Sequence, residues 1–304
     1  MNSSGKRKPR FRRVPGEVEP MALTSRDREI IRSVARLRFA RSTHLIRLVP
    51  GAKTQLLRRL RLLYHHGWLD RPRCQLDYFH RGGTTPMVYC LGSRGAELLR
   101  GESGAAPAGM AGKGSGAGAG RIFLDHTLAV TEVLVNVEMA CRESAGEMLY
   151  VPPEALAGAS GKPLRWNVAL HGARAVLIPD AVFGLEFPDV PEGRQLVVCC
   201  LEADRGTMPV TRKSFHASSI LSKLHCYSAL WRRGEFEKRF GSGRLLVMMV
   251  TSGPQRCANI RRAVGTLPSG RGIFACWTQA EVSANAPELI RRAAGRGREP
   301  GKAS

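Results

Sequence analysis

Residues 195–204 read Gln195-Leu-Val-Val-Cys-Cys-Leu-Glu-Ala-Asp204, between Pro191-Glu-Gly193 and Arg205-Gly206. The β-branched and apolar residues, framed by turn-forming residues, predict a buried strand. Because side chains alternate between the two faces of a strand, Glu202 and Asp204 point to the same side at its end. The predicted core strand therefore ends in two neighbouring carboxylates.

A second apolar segment, residues 173–187, includes Ile178-Pro179-Asp180 and is also predicted to be a strand. The loop at 188–193 is short enough for an antiparallel hairpin between the two segments. The hairpin would bring Asp180 beside Glu202 and Asp204, and converging carboxylate oxygens suit a hard cation such as Mg2+. A metal held by these three acids could activate water for phosphodiester cleavage.

The next segment, residues 215–232, has apolar residues at spacings of three and four, which predicts a helix packed along one face. Lys223 lies at the edge of that apolar stripe, where it would reach a scissile phosphate or the attacking water. An alternative remains open for the acids: they would form salt bridges at the strand ends. The candidate partners of Asp180, Glu202 and Asp204 are then Arg205, Arg212 and Lys223.

The rest of the C-terminal half alternates helices and strands. We predict helices at 122–143, 256–264 and 281–294, and strands at 164–170, 244–251 and 272–277. His126 and Glu132 are the notable polar residues of the first helix. Together with the hairpin, this order predicts an α/β three-layer domain with a mixed sheet.

The N-terminal half predicts a winged helix-turn-helix. Thr24 would cap the first helix, with Asp27 at its third position. Helices at 42–49 and 52–66 follow, then strands at 67–71 and 87–91 around the loop 80–86, and a further helix from residue 93 to 99. In this order the third helix would enter the major groove of DNA.

The outward side chains of that third helix are basic or polar, and Arg81 on the wing would contact the DNA backbone. The expected DNA-binding residues are Lys53, Thr54, Gln55, Arg58, Arg59, Arg61 and Arg81. The alternative is a solvated helix face on a winged helix that mediates protein contacts.

The charge of the chain supports a nucleic-acid partner. Of 304 residues, 47 are Lys or Arg and 25 are Asp or Glu, which gives a formal net charge of +22. Such an excess indicates a polyanion partner, most often nucleic acid, although a basic ribosomal or membrane-surface protein has the same excess.

We find no run of about eighteen apolar residues and no secretory signal, so we expect no membrane span and a cytoplasmic location. The eight cysteines lack C-x-x-C spacing, so we expect reduced thiols and no zinc site.

These patterns divide the chain into five parts. We predict a disordered basic arm at 1–20, the winged helix at 21–100, a Gly/Ala linker at 101–120, the α/β domain at 121–290 and a disordered basic tail at 291–304.

Four short motifs resemble a known family. They are Asp125-His126-Thr127, Pro179-Asp180-Ala181, Leu201-Glu-Ala-Asp-Arg-Gly-Thr207 and Lys223-Leu224 with Tyr227. They resemble the PD-(D/E)XK nuclease-like fold, which is restriction-endonuclease-like, and more closely the replication-relaxation family of bacterial and plasmid proteins, over roughly residues 24 to 280. The resemblance implies a winged helix followed by a nuclease-like domain, with Glu132 and His126 assisting the site. The sequence departs from the nuclease pattern at Asp204, where the pattern has lysine, and Lys223 would be a migrated replacement.

Two functions follow. The first is a DNA nickase or endonuclease of plasmid replication or mobilisation, in which Asp180, Glu202 and Asp204 hold Mg2+ or Mn2+ and Lys223 assists. The second is a non-catalytic DNA-binding replication accessory or transcriptional regulator with a degenerate nuclease-like domain. Double-stranded DNA is the expected partner of both, and a relaxase, a replication protein or a second copy of the chain in a homodimer are further candidates.

Overall fold

The computed structural model describes residues 10–76, 85–103, 118–156, 164–170, 173–191, 193–206, 208–210 and 219–295. The chain forms two compact units, Met1–Thr131 and Glu132–Ser304. Arg81, Arg212, most of the predicted linker and the end of the predicted tail lie outside the described residues.

The first unit consists of short strands and helices in alternation. Its elements are α1 (Ser25–Leu37), β1 (Ala40–Arg41), α2 (Ser42–Leu48), α3 (Lys53–His65), β2 (Leu69–Asp70), β3 (Val88–Leu91) and α4 (Ser93–Ser103). The strands pair antiparallel in the order β1-β3-β2, and β1 was not predicted. The predicted cap of α1 is confirmed, because Thr24 Oγ1 accepts the Asp27 N–H at 3.3 Å and Asp27 Oδ2 accepts the Thr24 N–H at 2.8 Å.

Residues 10–20 of the predicted basic arm are described, and they contact α3. Arg13 Nε donates to the Tyr64 carbonyl at 3.1 Å, and the backbone N–H of Val14 donates to Nδ1 of His65 at 3.1 Å. Val14 is buried in this contact. The burial of Val14 and these long-range hydrogen bonds fix a segment whose composition alone indicates disorder.

The second unit contains a mixed sheet, which confirms the predicted sheet type. The elements that follow α4 are α5 (Arg121–Glu143), β4 (Leu149–Val151), β5 (Trp166–Leu170), β6 (Ala173–Leu177), β7 (Ala181–Glu186), β8 (Leu196–Asp204), α6 (Ile220–Arg232), α7 (Glu235–Phe240), β9 (Leu245–Thr251), α8 (Pro254–Gly265), β10 (Phe274–Thr278) and α9 (Gln279–Gly295). The five-stranded order is β10-β9-β8-β7-β4, and the division between the units falls within α5. Strands β8, β9 and β10 are parallel, while β7 and β4 run antiparallel to their neighbours.

Two strand predictions need correction. The segment 173–187 is not one strand but two, β6 and β7, and Pro179 lies in the break between them because proline has no N–H to donate to a ladder. Among the described residues, strand β5 pairs only with β6, in a separate two-stranded sheet. The short strand β4, which was not predicted, forms the edge of the main sheet beside β7.

The core of the second unit follows the alternation of β8. Val198 and Cys200 are fully buried and belong to one apolar cluster with residues of α6, α7, α8 and β9. Glu202 and Asp204 follow two and four residues after Cys200 on the same face, so the face that packs the core also carries the acids. Among the described helices, none has the length and apolarity needed to cross a bilayer.

Candidate functional site

The hairpin of β7 and β8 places Asp180 next to the end of β8. Ala181 pairs with Leu201, and the N–H of Asp180 donates to the Leu201 carbonyl at 3.0 Å. The half-buried Asp180 carboxylate in turn accepts the N–H of Ala203 at 2.8 Å. The predicted antiparallel hairpin is therefore confirmed, and it aligns Asp180 with the strand end that carries the other two acids.

Glu202 lies inside the protein, with 3% of its surface exposed, and both carboxylate oxygens have partners from α6. The Tyr227 hydroxyl donates to Oε1 at 2.8 Å, and the Lys223 ammonium lies 2.5 Å from Oε2. Ser219 caps α6 by accepting the N–H of Ser222, which fixes the first turn of the helix beside the strand end. Lys223 and Tyr227 are four residues apart and therefore share one face of α6.

The electrostatics of this cluster are set by burial. Burial raises the pKa of Glu202 to about 7, against the lowering effect of the Lys223 charge. Burial also opposes the charge on Lys223, but attraction to Glu202, Asp180 and Asp204 outweighs it and raises the pKa of Lys223. Lys223 therefore stays charged near neutral pH, and Glu202 is the member of the pair that titrates there.

Asp204 points to a different partner. Arg256 holds it in a two-pronged ion pair, with Nε 2.6 Å from Oδ2 and Nη2 3.0 Å from Oδ1. The Thr251 hydroxyl and the Gly206 N–H also donate to this carboxylate, at 3.3 Å and 3.2 Å. No motif in the sequence singles out Arg256, although α8 follows β9, whose Thr251 pairs with Asp204 in a parallel ladder.

The arrangement does not fit the predicted magnesium site. Both oxygens of Glu202 and both oxygens of Asp204 already accept hydrogen bonds, and a lysine and an arginine neutralise them. Within the part of the chain that the structure describes, no group of three or more His, Cys, Asp or Glu residues could hold a metal ion. Asp180, Glu202, Asp204 and Lys223 do meet at one end of the sheet, but Lys223 is paired with Glu202 and Arg256 with Asp204.

The two secondary candidates lie on α5. His126 belongs to the first unit and Glu132 to the second, and both side chains are half-buried. A role of His126 and Glu132 beside the acids of β8 stays a prediction.

In the first unit, α3 displays most of the predicted DNA-binding residues to solvent. Lys53, Thr54, Gln55, Arg58 and Arg61 are exposed, while Leu56, Leu60 and Leu63 on the other side are buried. Arg81 cannot be placed with them, because it lies outside the described residues.

Arg59 differs from its neighbours on α3. Its Nε donates to Oδ1 of Asp27 at 2.9 Å, and Asp27 is fully buried. Burial alone would raise the pKa of Asp27, but the hydrogen bonds from Arg59 and Thr24 lower it. Arg59 thus joins α3 to α1, and Asp27, which the sequence indicated only as a helix cap, is the buried centre of that contact.

Two further residues adjoin the exposed face of α3. Glu19 accepts a hydrogen bond from Arg58 Nε at 3.0 Å, and its backbone carbonyl lies 3.0 Å from His66 Nε2. The exposed Arg26 guanidinium lies so close to the turn before α3 that a side-chain carbon on Gly51 would approach it to 2.8 Å. Neither Glu19 nor Arg26 could be assigned to this face from the sequence, because both come from segments distant from α3 in the chain.

Comparison with protein families adds the identity. A family model described as replication-relaxation matches residues 31–246. The chain belongs to the replication-relaxation family. In this replication-relaxation protein the matched range includes α3, Asp180, Glu202 and Lys223, whereas Arg256 and the elements α8, β10 and α9 lie beyond its end. No curated protein and no solved structure matches the chain.

Proposed function

We propose that this replication-relaxation protein binds double-stranded DNA through α3, as a non-catalytic accessory of plasmid replication or mobilisation. The first unit would act as a winged helix. The order of α1, α2, α3, β2 and β3, with a three-stranded antiparallel sheet, supports this assignment.

The exposed face of α3 is the observation on which the proposal rests. Thr54, Arg58 and Arg61 stand four and three residues apart, so they form one stripe along the helix, with Lys53 and Gln55 at its N-terminal end. The N-terminus of a helix attracts phosphate, and Arg26 adds a positive charge beside it. A protein with a formal net charge of +22 would be drawn to DNA by the same groups.

The acid cluster supports the non-catalytic form of the proposal. Lys223 pairs with Glu202 and Arg256 pairs with Asp204 inside the fold, so neither carboxylate needs a metal to balance its charge. Three of the predicted site residues meet at one strand end: Asp180, Glu202 and Lys223. This favours a nuclease-like fold as the origin of the second unit.

A binding measurement on random duplex DNA tests the proposal, because phosphate contacts act on every sequence. We expect the Arg58→Gln and Arg61→Gln double variant to lower the affinity and to reduce the slope of log K against log salt by about two. The matched control is Arg28→Gln with Arg32→Gln, since both arginines pair with Glu102 on another face of the unit. Equal losses in the two double variants would assign DNA binding to general charge and overturn the role of α3.

A further inference from the structure

A groove lies at the open edge of the main sheet, in a part of the second unit that the proposed function does not use. Its volume is about 510 Å3, within the range of ligand sites, and it is bordered by α8, α9 and β10. Strand β10 ends the order of the five-stranded sheet, so its outer side has no strand partner among the described residues.

Three arginines from three different elements line this groove: Arg261 of α8, Arg271 of the turn before β10 and Arg292 of α9. The side chains of Arg261 and Arg292 are 55% and 71% exposed. Arg271 Nε donates to the Leu267 carbonyl at 2.7 Å, and this bond fixes its guanidinium in place. A guanidinium has five donors, so each arginine has donors beyond those that its protein partners use.

Two acids lie near these arginines and moderate the charge. Glu281 Oε1 is 4.0 Å from Arg261 Nη2, and Glu288 Oε1 is 2.7 Å from Arg292 Nε. The Glu281 carboxylate is engaged by the N–H and hydroxyl of Thr278, and the pair of Arg292 with Glu288 is an exposed pair within one helix. Exposed pairs of this kind are worth little, so an incoming phosphate would compete for the guanidinium.

Aromatic rings complete the lining. Phe274 is half-buried on β10, and Trp277, three residues further on and therefore on the opposite face of the strand, is 7% exposed. Guanidinium groups beside aromatic rings are the combination that binds the phosphates and unpaired bases of single strands. The groove has room for about one nucleotide, and its position along a strand edge would let a polymer continue on either side.

An acidic peptide added to the edge of β10 would be the competing occupant. Such a strand needs the outward carbonyls of β10 as acceptors. Arg261 donates from Nε and Nη2 to the Cys276 carbonyl, at 3.2 Å and 2.7 Å, and so occupies one backbone acceptor of β10. The Arg261 side chain therefore hinders the addition of a further strand to β10, while its positive charge stays at the groove.

We propose that this groove binds single-stranded nucleic acid, with Arg271 and Arg292 on the phosphates and a base against Phe274, the more exposed of the two rings. The site is separate from α3, so the protein would hold duplex and single strand with different units.

Anisotropy of a fluorescein-labelled twelve-residue oligo-dT, titrated with the full chain, tests the assignment. Arg271→Gln with Arg292→Gln should weaken binding about tenfold at moderate salt. The matched control is Arg262→Gln with Arg291→Gln, which also removes two positive charges. These residues lie on α8 and α9, next to the groove-lining arginines Arg261 and Arg292. The control should change binding less than about twofold, and thermal unfolding of both variants verifies the fold.

A second readout concerns Trp277. We expect oligo-dT to change the tryptophan emission of the wild-type chain, and this change should disappear in Trp277→Phe. Equal weakening by the groove and control variants, or absence of any oligo-dT binding, would overturn the proposal. So would polyglutamate that binds as tightly as oligo-dT, since it would assign the groove to acidic peptides. Loss of oligo-dT binding in the α3 double variant would place single-strand binding in the first unit, whereas loss of duplex binding alone in that variant leaves the groove proposal intact.

Discussion

The Nε of Arg59 lies 2.9 Å from Oδ1 of the fully buried Asp27, whereas its neighbour Arg58 is exposed and meets the exposed Glu19. Two adjacent arginines of α3 therefore have different tasks. One joins α3 to α1 inside the first unit, and the other stands on the surface proposed to contact DNA.

The first prediction is that Arg59→Ala destabilises the protein. The substitution leaves the buried Asp27 carboxylate without its cation, which costs about 3 kcal/mol in the free energy of unfolding. Urea unfolding measures the loss, and Arg61→Ala is the control because Arg61 is exposed on the same helix. An Arg59→Ala protein as stable as the control would contradict the structural role.

Glu19 provides the second prediction. Its carboxylate accepts hydrogen bonds from Arg58 on the face proposed for DNA, and the Arg58 hydrogen bond lowers the pKa of Glu19. Glu19→Gln removes a negative charge that competes with phosphate, so duplex affinity should rise about threefold, mostly at low salt. Anisotropy on random duplex measures the change. Glu29→Gln, an exposed acid of α1, is the control and should have a smaller effect.

The third prediction concerns pH. Burial raises the pKa of Glu202 to about 7, while the ordinary value for glutamate is 4.5. The folded protein therefore binds one more proton than the unfolded chain between these values, and its stability falls as pH rises from about 4.5 to about 7, by about 3 kcal/mol from this group. The raised pKa of Lys223 contributes stability that is lost only as pH rises through its folded value, above 10.5.

Urea unfolding between pH 5 and pH 8 checks this slope. Glu202→Gln should flatten it, because the amide does not titrate, whereas the exposed control Glu288→Gln should leave it unchanged. A wild-type slope of the opposite sign, or one that Glu202→Gln retains, would show that Glu202 is ionised throughout.

Arg256 and Asp204 give the fourth prediction. Their side chains are 19% and 4% exposed, so Arg256→Met leaves a buried, unpaired carboxylate and should lower the free energy of unfolding by about 3 kcal/mol. Adding Asp204→Asn should restore most of that loss, since no charge then remains to be compensated. A double variant as unstable as the single one would indicate that packing of Arg256, not its charge, holds α8 to β8.

The fifth prediction separates the accessory from a nuclease. Supercoiled plasmid incubated with the purified protein should remain supercoiled in Mg2+, in Mn2+ and in EDTA, and millimolar Mg2+ should leave thermal unfolding unchanged, because lysine and arginine already neutralise the acids. Nicking that depends on Mg2+ or Mn2+ and disappears in both Asp180→Ala and Glu202→Ala would reverse this conclusion. Nicking that persists in both variants would point to a contaminant.

Much of the secondary structure could be predicted because its causes are local. The Thr24 cap, the boundaries of α2 and α3, and the alternation along β8 each depend on residues a few positions apart. The wrong predictions concern strands whose bounds and pairing depend on residues that are distant in the chain. Residues 173–187 have enough apolar residues for one strand, yet Pro179 and the pairing of β6 with β5 divide them.

The sequence alone determined that Glu202 and Asp204 leave β8 on one face, that Asp180 joins them through a hairpin, and that α3 has a basic side. Strand and helix periodicity suffices for such statements. Only the tertiary structure decided which cations pair with the buried acids, since Arg256 lies 52 positions from Asp204 in the chain and Arg59 lies 32 positions from Asp27. Local pattern specifies the side of an element on which a charge lies, but its partner, and hence whether it is available to a metal or to DNA, depends on how distant elements pack.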